Sequence, residues 1–269
     1  MLQKITDTAD FLKRKGFGNA AVGIVLGTGL GSFIDLIKIE ASAAYQDIPN
    51  FPTATVEFHK GQLVTGLMGD VKIIAMQGRF HYYEGYSMQE ITFPIRVMKA
   101  LGIKYLLLSN AAGGLNPAFK KGDLAVITDH INELPENPLR GLNDPAFGNR
   151  FTDMSRPYAD NLNEKISKAA KDLNVPLQTG IYVSVQGPNL ETRAEYRHLR
   201  NMGADMVGMS TVPEVIVANH IGLPCAAVSV ITDECDPDNL TPVSIADIIA
   251  VAGKADAVLS KVLEKVITG

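Results

Sequence analysis

The chain has 269 residues, of which 46% are hydrophobic and 20% charged, and its formal net charge is -4. That composition excludes a long disordered or collagen-like region, and the length suits one α/β domain with a sizeable core. The slightly acidic balance offers no basic field for nucleic acid or an anionic membrane surface, so any anionic ligand has to be held locally.

Taken in chain order, Met1 to Lys15 places Leu2, Ile5, Ala9 and Leu12 at helical spacing, which predicts a surface helix and not the continuous apolar segment of a signal peptide. Short apolar, β-branched runs predict buried strands at Ala21 to Leu26, Val71 to Met76, Tyr105 to Ser109, Leu124 to Thr128, Ile181 to Val185 and Ala226 to Thr232. Leu63 to Met76, turning at Met68-Gly69-Asp70, reads as an antiparallel hairpin. Ser87 with Glu90, Thr211 with Glu214, and Ser244 with Asp247 have capping-box spacing and mark helix starts. In the last helix Ile245, Ile248, Ile249, Ala252, Leu259, Val262 and Val266 form one core-facing stripe. Asn132 to Arg156 is rich in proline and weakly periodic, and reads as a functional loop or a subunit contact. Strands alternating with helices predict a single α/β domain over residues 1 to 269, with a mixed, largely parallel central sheet flanked by helices.

No apolar run approaches the roughly 18 residues of a membrane span, and Cys225 and Cys235 lack metal or disulfide spacing, which makes a reducing cytoplasm the expected location. Cys225 lies in an apolar run and reads as a buried structural thiol.

Four segments carry chemistry. The first strand runs into Gly27-Thr28-Gly29-Leu30-Gly31-Ser32, where small residues let backbone N–H groups approach an anion; a tight strand-to-helix turn is the plainer reading. Ser32 stands where a dinucleotide fingerprint needs its third glycine, and no Gly-Lys-Ser/Thr ending supports a P-loop. Strand Val71 to Met76 continues into Gln77-Gly78-Arg79-Phe80-His81-Tyr82-Tyr83-Glu84-Gly85. There Arg79 supplies a bidentate donor for phosphate oxygens, His81 a further donor, and Tyr83 a flat surface with a hydroxyl for a sugar. Asn110-Ala111-Ala112-Gly113-Gly114-Leu115 reads as a second small-residue turn at a strand's C-terminal edge, where ligands gather in parallel sheets. Val207 to Glu214 puts Ser210 beside a helix N-terminus, as an anion donor or simply a cap.

Two carboxylates follow apolar strands, Glu191 in Gly187-Pro188-Asn189-Leu190-Glu191-Thr192 and Asp233 in Thr232-Asp233-Glu234. They can meet over a polar ring, though Glu191 also fits the first turn of a helix. His130, His198 and His220 follow no metal-ligand spacing, and no metal is expected.

Together, Gly27 to Gly31, Gln77 to Gly85, Asn110 to Asn116, Gly122-Asp123, Asp129-His130-Ile131-Asn132, Asn137 to Gly141 and Gly208 to Val217 resemble the trimeric purine nucleoside phosphorylases over about Phe17 to Gly253. The resemblance implies reversible phosphorolysis of purine nucleosides such as inosine and guanosine, a homotrimer with active sites near subunit contacts, and no cofactor, phosphate being a co-substrate. It implies a phosphate site at Thr28, His59, Arg79, His81, Ala111 and Ser210. The ribose falls to Tyr83 and Met209, with Phe151 reaching into a neighbouring subunit's site. Glu191 and Asp233 would hold the purine between apolar walls of Leu190, Tyr182 and Val207, and His81, Glu84 and Asp233 are the expected catalytic group.

Common members of the family resembled have asparagine at the place of Asp233 and lysine or a small residue at that of Glu234. Aspartate can donate to purine N7 only when protonated, so repulsion from Glu191 is expected to leave Asp233 as the protonated partner, and activity can extend to adenosine. The family's histidine for the ribose 5′-hydroxyl falls at Ala246 or a neighbour. An apolar group there suits 5′-methylthio nucleosides, making a methylthioadenosine phosphorylase the nearest rival; a non-catalytic nucleoside-binding protein is the more distant one.

Overall fold

The computed structural model describes residues 1–28, 31–53 and 60–269. β1 (Val22–Leu26) is buried along its whole length, as an apolar run flanked by strands on both sides must be. It pairs in parallel with β4 (Val71–Gln77) and β5 (Tyr105–Gly114). β4 is also the second arm of the expected hairpin: β3 (Gln62–Met68) runs antiparallel to it, with Met68 opposite Val71. β2 (Lys38–Ala44) adds to the outer edge of β3, is mostly exposed, and is not among the expected strands.

The other half of the sheet contains β6 (Leu124–Asn132), β7 (Leu177–Ser184), β8 (Met206–Gly208) and β9 (Cys225–Glu234). The described strands follow the order β2-β3-β4-β1-β5-β8-β7-β6-β9, and β9 pairs with β5 as well as β6. Strands β5, β8, β7, β6 and β9 therefore close into a ring of mixed parallel and antiparallel pairs. The ring makes β5 longer than its apolar run. Asn110 to Gly114, expected as a turn, continue as strand because each pairs with a residue of β9.

Helices α1 (Leu2–Arg14), α2 (Met88–Ala100) and α5 (Val212–His220) pack on one face through Ile5, Leu12, Ile91, Ile95 and Val215. Helices α3 (Asp160–Asp172) and α6 (Ile245–Thr268) cover the other through Ile166, Leu259 and Val262. Each fully buried side chain of this kind stabilises the fold by roughly 1.5–3 kcal/mol. α4 (Arg193–Asn201) seats Tyr196 and Leu199 on a smaller cluster beside the ring.

Helix starts explain two corrections. Ser87 and Glu90 form their capping box, and Ser244 accepts from the Asp247 N–H. Thr211 and Glu214 do not: Thr211 sits at φ 71 with no cap bond, and Glu214 turns inward because a buried arginine needs a counter-charge. At α4 the box is made by Thr192 and Glu195, so Glu191 lies before the helix and its side chain is left for another task.

Candidate active site

A cavity of about 370 Å³ opens where β1, β4 and β5 end and the ring strands β8 and β9 come alongside. The C-terminal ends of parallel strands are where such sheets hold ligands. Thr28 and Gly27 enter it from β1, Arg79, His81 and Tyr83 from beyond β4, Ala111 from β5, and Met209 and Ser210 from β8. Leu190, Glu191, Val207 and Asp233 complete the wall.

Arg79 reaches the cavity because Gly78 turns the chain at φ 107, a backbone conformation that side chains disfavour. Only 1% exposed, Arg79 donates from Nε to Glu214 Oε1 at 3.2 Å and from Nη1 to the Ser109 carbonyl at 2.9 Å and Ser210 Oγ at 3.1 Å. Asn110 donates through Nδ2 to Thr211 Oγ1 at 2.8 Å, fixing the residue that carries the unusual backbone angle beside Ser210. Tyr182 supports this arrangement from behind: its buried hydroxyl accepts from the Ser210 N–H at 3.3 Å. The expected apolar wall at Tyr182 is thus corrected. It stands behind Gly208, where any Cβ would collide with its ring, and does not line the cavity.

His81 accepts no hydrogen bond from Glu84; it donates one. Its Nδ1 and its backbone N–H both lie 2.8 Å from Glu84 Oε1, and a carboxylate only accepts, so Nδ1 carries the hydrogen. Burial pushes the imidazole below its usual pKa, partly offset by the hydrogen bond to Glu84. Neutral His81 therefore presents Nε2 as an acceptor. Tyr83 stacks on it at 4.7 Å between ring centroids, and burial pushes the phenol up to about 12, so its hydroxyl remains a donor. Glu84 itself lies behind His81 and outside the cavity lining.

At the other end, Glu191 and Asp233 share the wall with Thr232, Tyr196 and Cys235. Burial, chiefly, and the charge of Asp233 hold Glu191 above the usual carboxylate range, against hydrogen bonds from its own backbone and from Tyr196. Asp233 accepts from Thr232 Oγ1 at 2.8 Å on Oδ1 and from Cys235 Sγ at 3.1 Å on Oδ2. Both oxygens of Asp233 thus take hydrogen bonds from neighbours, where a donor was expected, and burial holds Glu191 towards protonation.

The remaining expectations divide. His59 lies outside the described residues. Phe151 is 91% exposed on the loop after β6 and does not line this cavity. The apolar wall expected near Ala246 is made by Ile245 and Ile248, one residue before and two after it. Glu234 points away, paired with Lys120 at 2.9 Å on the surface, so its departure from the family pattern does not touch the pocket. Sequence reasoning missed Glu214, hidden in an apparent capping box, and Tyr196 and Cys235, which carry no motif. Among the described residues no three His, Cys, Asp or Glu side chains gather as metal ligands, and no helix is long and apolar enough to cross a membrane.

The family model of the phosphorylase superfamily matches residues 21–268. Purine nucleoside phosphorylase 1 of Bacillus subtilis is 49% identical over 267 residues, which cover 99% of this chain and 98% of the relative. Purine nucleoside phosphorylase of Bos taurus is 47% identical over 234 residues, covering 85% and 81%. Among solved structures, isoform 2 of purine nucleoside phosphorylase from Schistosoma mansoni, in complex with cytosine and ribose-1-phosphate, superposes with a TM-score of 0.93 at 40% identity, covering 99% of this chain and 96% of that one. A Schistosoma mansoni purine nucleoside phosphorylase in complex with adenosine gives 0.92 at 37% identity, covering 98% and 96%.

Proposed function

The chain belongs to the phosphorylase superfamily and, within it, to the purine nucleoside phosphorylases, and from that membership we propose that it cleaves purine nucleosides with inorganic phosphate, releasing the base and a pentose 1-phosphate. One observation carries the reading: a single cavity has the Arg79, His81 and Ser210 group and the Glu191 and Asp233 pair in its walls.

The chemistry follows from charge. As the C1′–N9 bond lengthens, the sugar becomes cationic and the purine takes the electron pair, while a phosphate oxygen forms the new bond at C1′. Arg79, buried and ion-paired, gives a fixed positive charge for the phosphate, and Thr28, Ala111 and Ser210 supply neighbouring polar and backbone groups. Neutral His81 accepts the remaining P–OH hydrogen at Nε2, leaving the ionised oxygens to Arg79 and the sugar. Tyr83 and Met209 flank the ribose, and Leu190 and Val207 the flat faces of the base. Glu191, when protonated, donates to the base and takes up part of the leaving-group charge, while Asp233 holds its polar edge as an acceptor. Phosphate is itself the nucleophile, so the reaction asks for no further cofactor.

The base edge reads in two ways. Ionised Glu191 accepts from N1–H of a 6-oxopurine; protonated Glu191 donates to N1 of a 6-aminopurine while Asp233 accepts from its amino group. Inosine, guanosine and adenosine all fit. Ile245 and Ile248 support a second reading, in which a 5′-methylthio group replaces the 5′-hydroxyl. Phe151 and Leu142, two large apolar side chains exposed on the loop after β6, support a homotrimer in which the loop completes the next subunit's site, and a cytoplasmic location suits the free thiols.

Phosphate-dependent release of base from inosine, guanosine, adenosine and methylthioadenosine, measured side by side, tests all of this. Release from at least one purine ribonucleoside is expected, and release from none overturns the proposal. Methylthioadenosine far ahead of the others would favour the second reading.

A further inference from the structure

Cys235 stands in the cavity wall beside the base-binding carboxylates, and neither motif nor comparison gives it a task. It is 1% exposed, and its own N–H donates to the Gly114 carbonyl at 2.8 Å, which pins the residue against β5. Its thiol is seated on Gly113: a Cβ there would stand 2.5 Å from Sγ and 3.3 Å from Asp233 Oδ2. Backbone on one side and Asp233 on the other leave the sulfur little freedom to turn. The thiol has one hydrogen, and Asp233 Oδ2 is 3.1 Å away. Thr232 occupies the second oxygen, at 2.8 Å.

We propose that Cys235 is a positioning residue for base selection: by donating to Asp233 Oδ2, opposite the Thr232 bond to Oδ1, it keeps Asp233 an acceptor and biases the site towards 6-aminopurine nucleosides over 6-oxopurine ones. The inference rests on the purine site proposed above. Each carboxylate oxygen can accept more than one hydrogen bond, so one bond per oxygen from the protein still leaves lone pairs for an amino group on the base. A 6-oxo group brings only an acceptor to the same place, and two acceptors facing each other with no hydrogen between them are repulsive. Burial and the adjacent Asp233 both hold the thiol far above its ordinary pKa, so it stays a donor through neutral pH.

The test is the ratio of kcat/KM for adenosine to kcat/KM for inosine in Cys235→Ala and Cys235→Ser. Loss of one neutral hydrogen bond to the acceptor corresponds to roughly a fivefold change. Cys235→Ala is expected to lower the ratio about five- to tenfold, and Cys235→Ser, which keeps a donor, to hold it within about twofold. In an Asp233→Asn background, removing Cys235 should leave the ratio where Asp233→Asn alone puts it, an outcome that a merely structural cysteine would not produce. An unchanged ratio in Cys235→Ala, or Ser behaving like Ala, overturns the proposal. If Cys235→Ala does not fold, Thr232→Val removes the partner donor and should move the ratio the same way. If wild type cleaves no nucleoside, the function proposed above has failed, and the cysteine is judged on binding of free adenine against hypoxanthine: no loss of adenine preference in Cys235→Ala overturns it.

Discussion

Arg79 is the most buried large side chain of the site, and Glu214 meets its charge at Nε, 3.2 Å away. Removing one partner of a buried ion pair leaves the other uncompensated and costs about 3–5 kcal/mol. Glu214→Ala is expected to lower unfolding free energy by about that amount in denaturant titration, and Glu214→Gln, which keeps an acceptor, by clearly less. Equal losses would show that the charge of Glu214 is irrelevant. Glu191 gives a pH prediction. Its pKa is raised, first by burial, with Asp233 and Glu195 adding repulsion and Tyr196 opposing through its hydrogen bond. Below that pKa Glu191 carries a proton to donate to N1 of adenosine; above it, Glu191 accepts from N1–H of inosine. The adenosine-to-inosine ratio of kcat/KM is therefore expected to fall as pH rises through the raised Glu191 pKa, and a flat ratio across the range where the protein is folded counts against the assignment. At this scale the sequence was informative about groups that carry their own chemistry. Arg79, His81, Tyr83, Ser210 and Asp233 are exposed by residue type and neighbourhood, whereas Glu214 has the spacing of a capping residue, and its true partner lies 135 positions away.

Elements deliver these groups, and how well an element is legible depends on whether its reason for existing is local. Buried strands with continuous apolar runs, the β3–β4 hairpin and the Ser87 capping box declare themselves in order. β2, β8 and the extension of β5 do not: they exist because neighbouring strands supply partners for their backbone groups, and pairing over long range leaves little trace in composition. α6 shows the same split. Its apolar stripe predicts the packing of Leu259 and Val262, but not that buried Asp256 on the same helix accepts from the Ser32 N–H at 2.6 Å. That bond ties the helix to the residue just after the glycine-rich segment that begins at Gly27. Ser260 holds the other oxygen at 3.2 Å. Asp256→Ala is expected to raise KM for phosphate about three- to tenfold while KM for the nucleoside moves less than about twofold, because support for only one end of the site is lost. Equal change in both, or in neither, as measured by initial rates with each substrate varied, would show that α6 does not position that loop.

The whole molecule poses the question that one subunit cannot answer by itself. Phe151 contributes nothing to its own core and nothing to the cavity described, yet a phenylalanine 91% exposed, on the same loop as a fully exposed Leu142, is a surface that water disfavours. In the proposed cyclic trimer each loop meets the next subunit, so every site is made by two chains, one giving Arg79 and the other Phe151. The arrangement predicts complementation. Arg79→Ala loses the phosphate charge and Phe151→Ala loses the lid over the ribose, so each homotrimer alone should fall at least about tenfold in kcat/KM. Co-expressed in equal amounts they form mixed trimers. A working site then needs a subunit with intact Arg79, half of all chains, next to one with intact Phe151, again half, and about a quarter of wild-type activity should return. Activity no higher than the average of the two parents would mean that Phe151 serves its own subunit or none, and the site would have to close by some means within one chain.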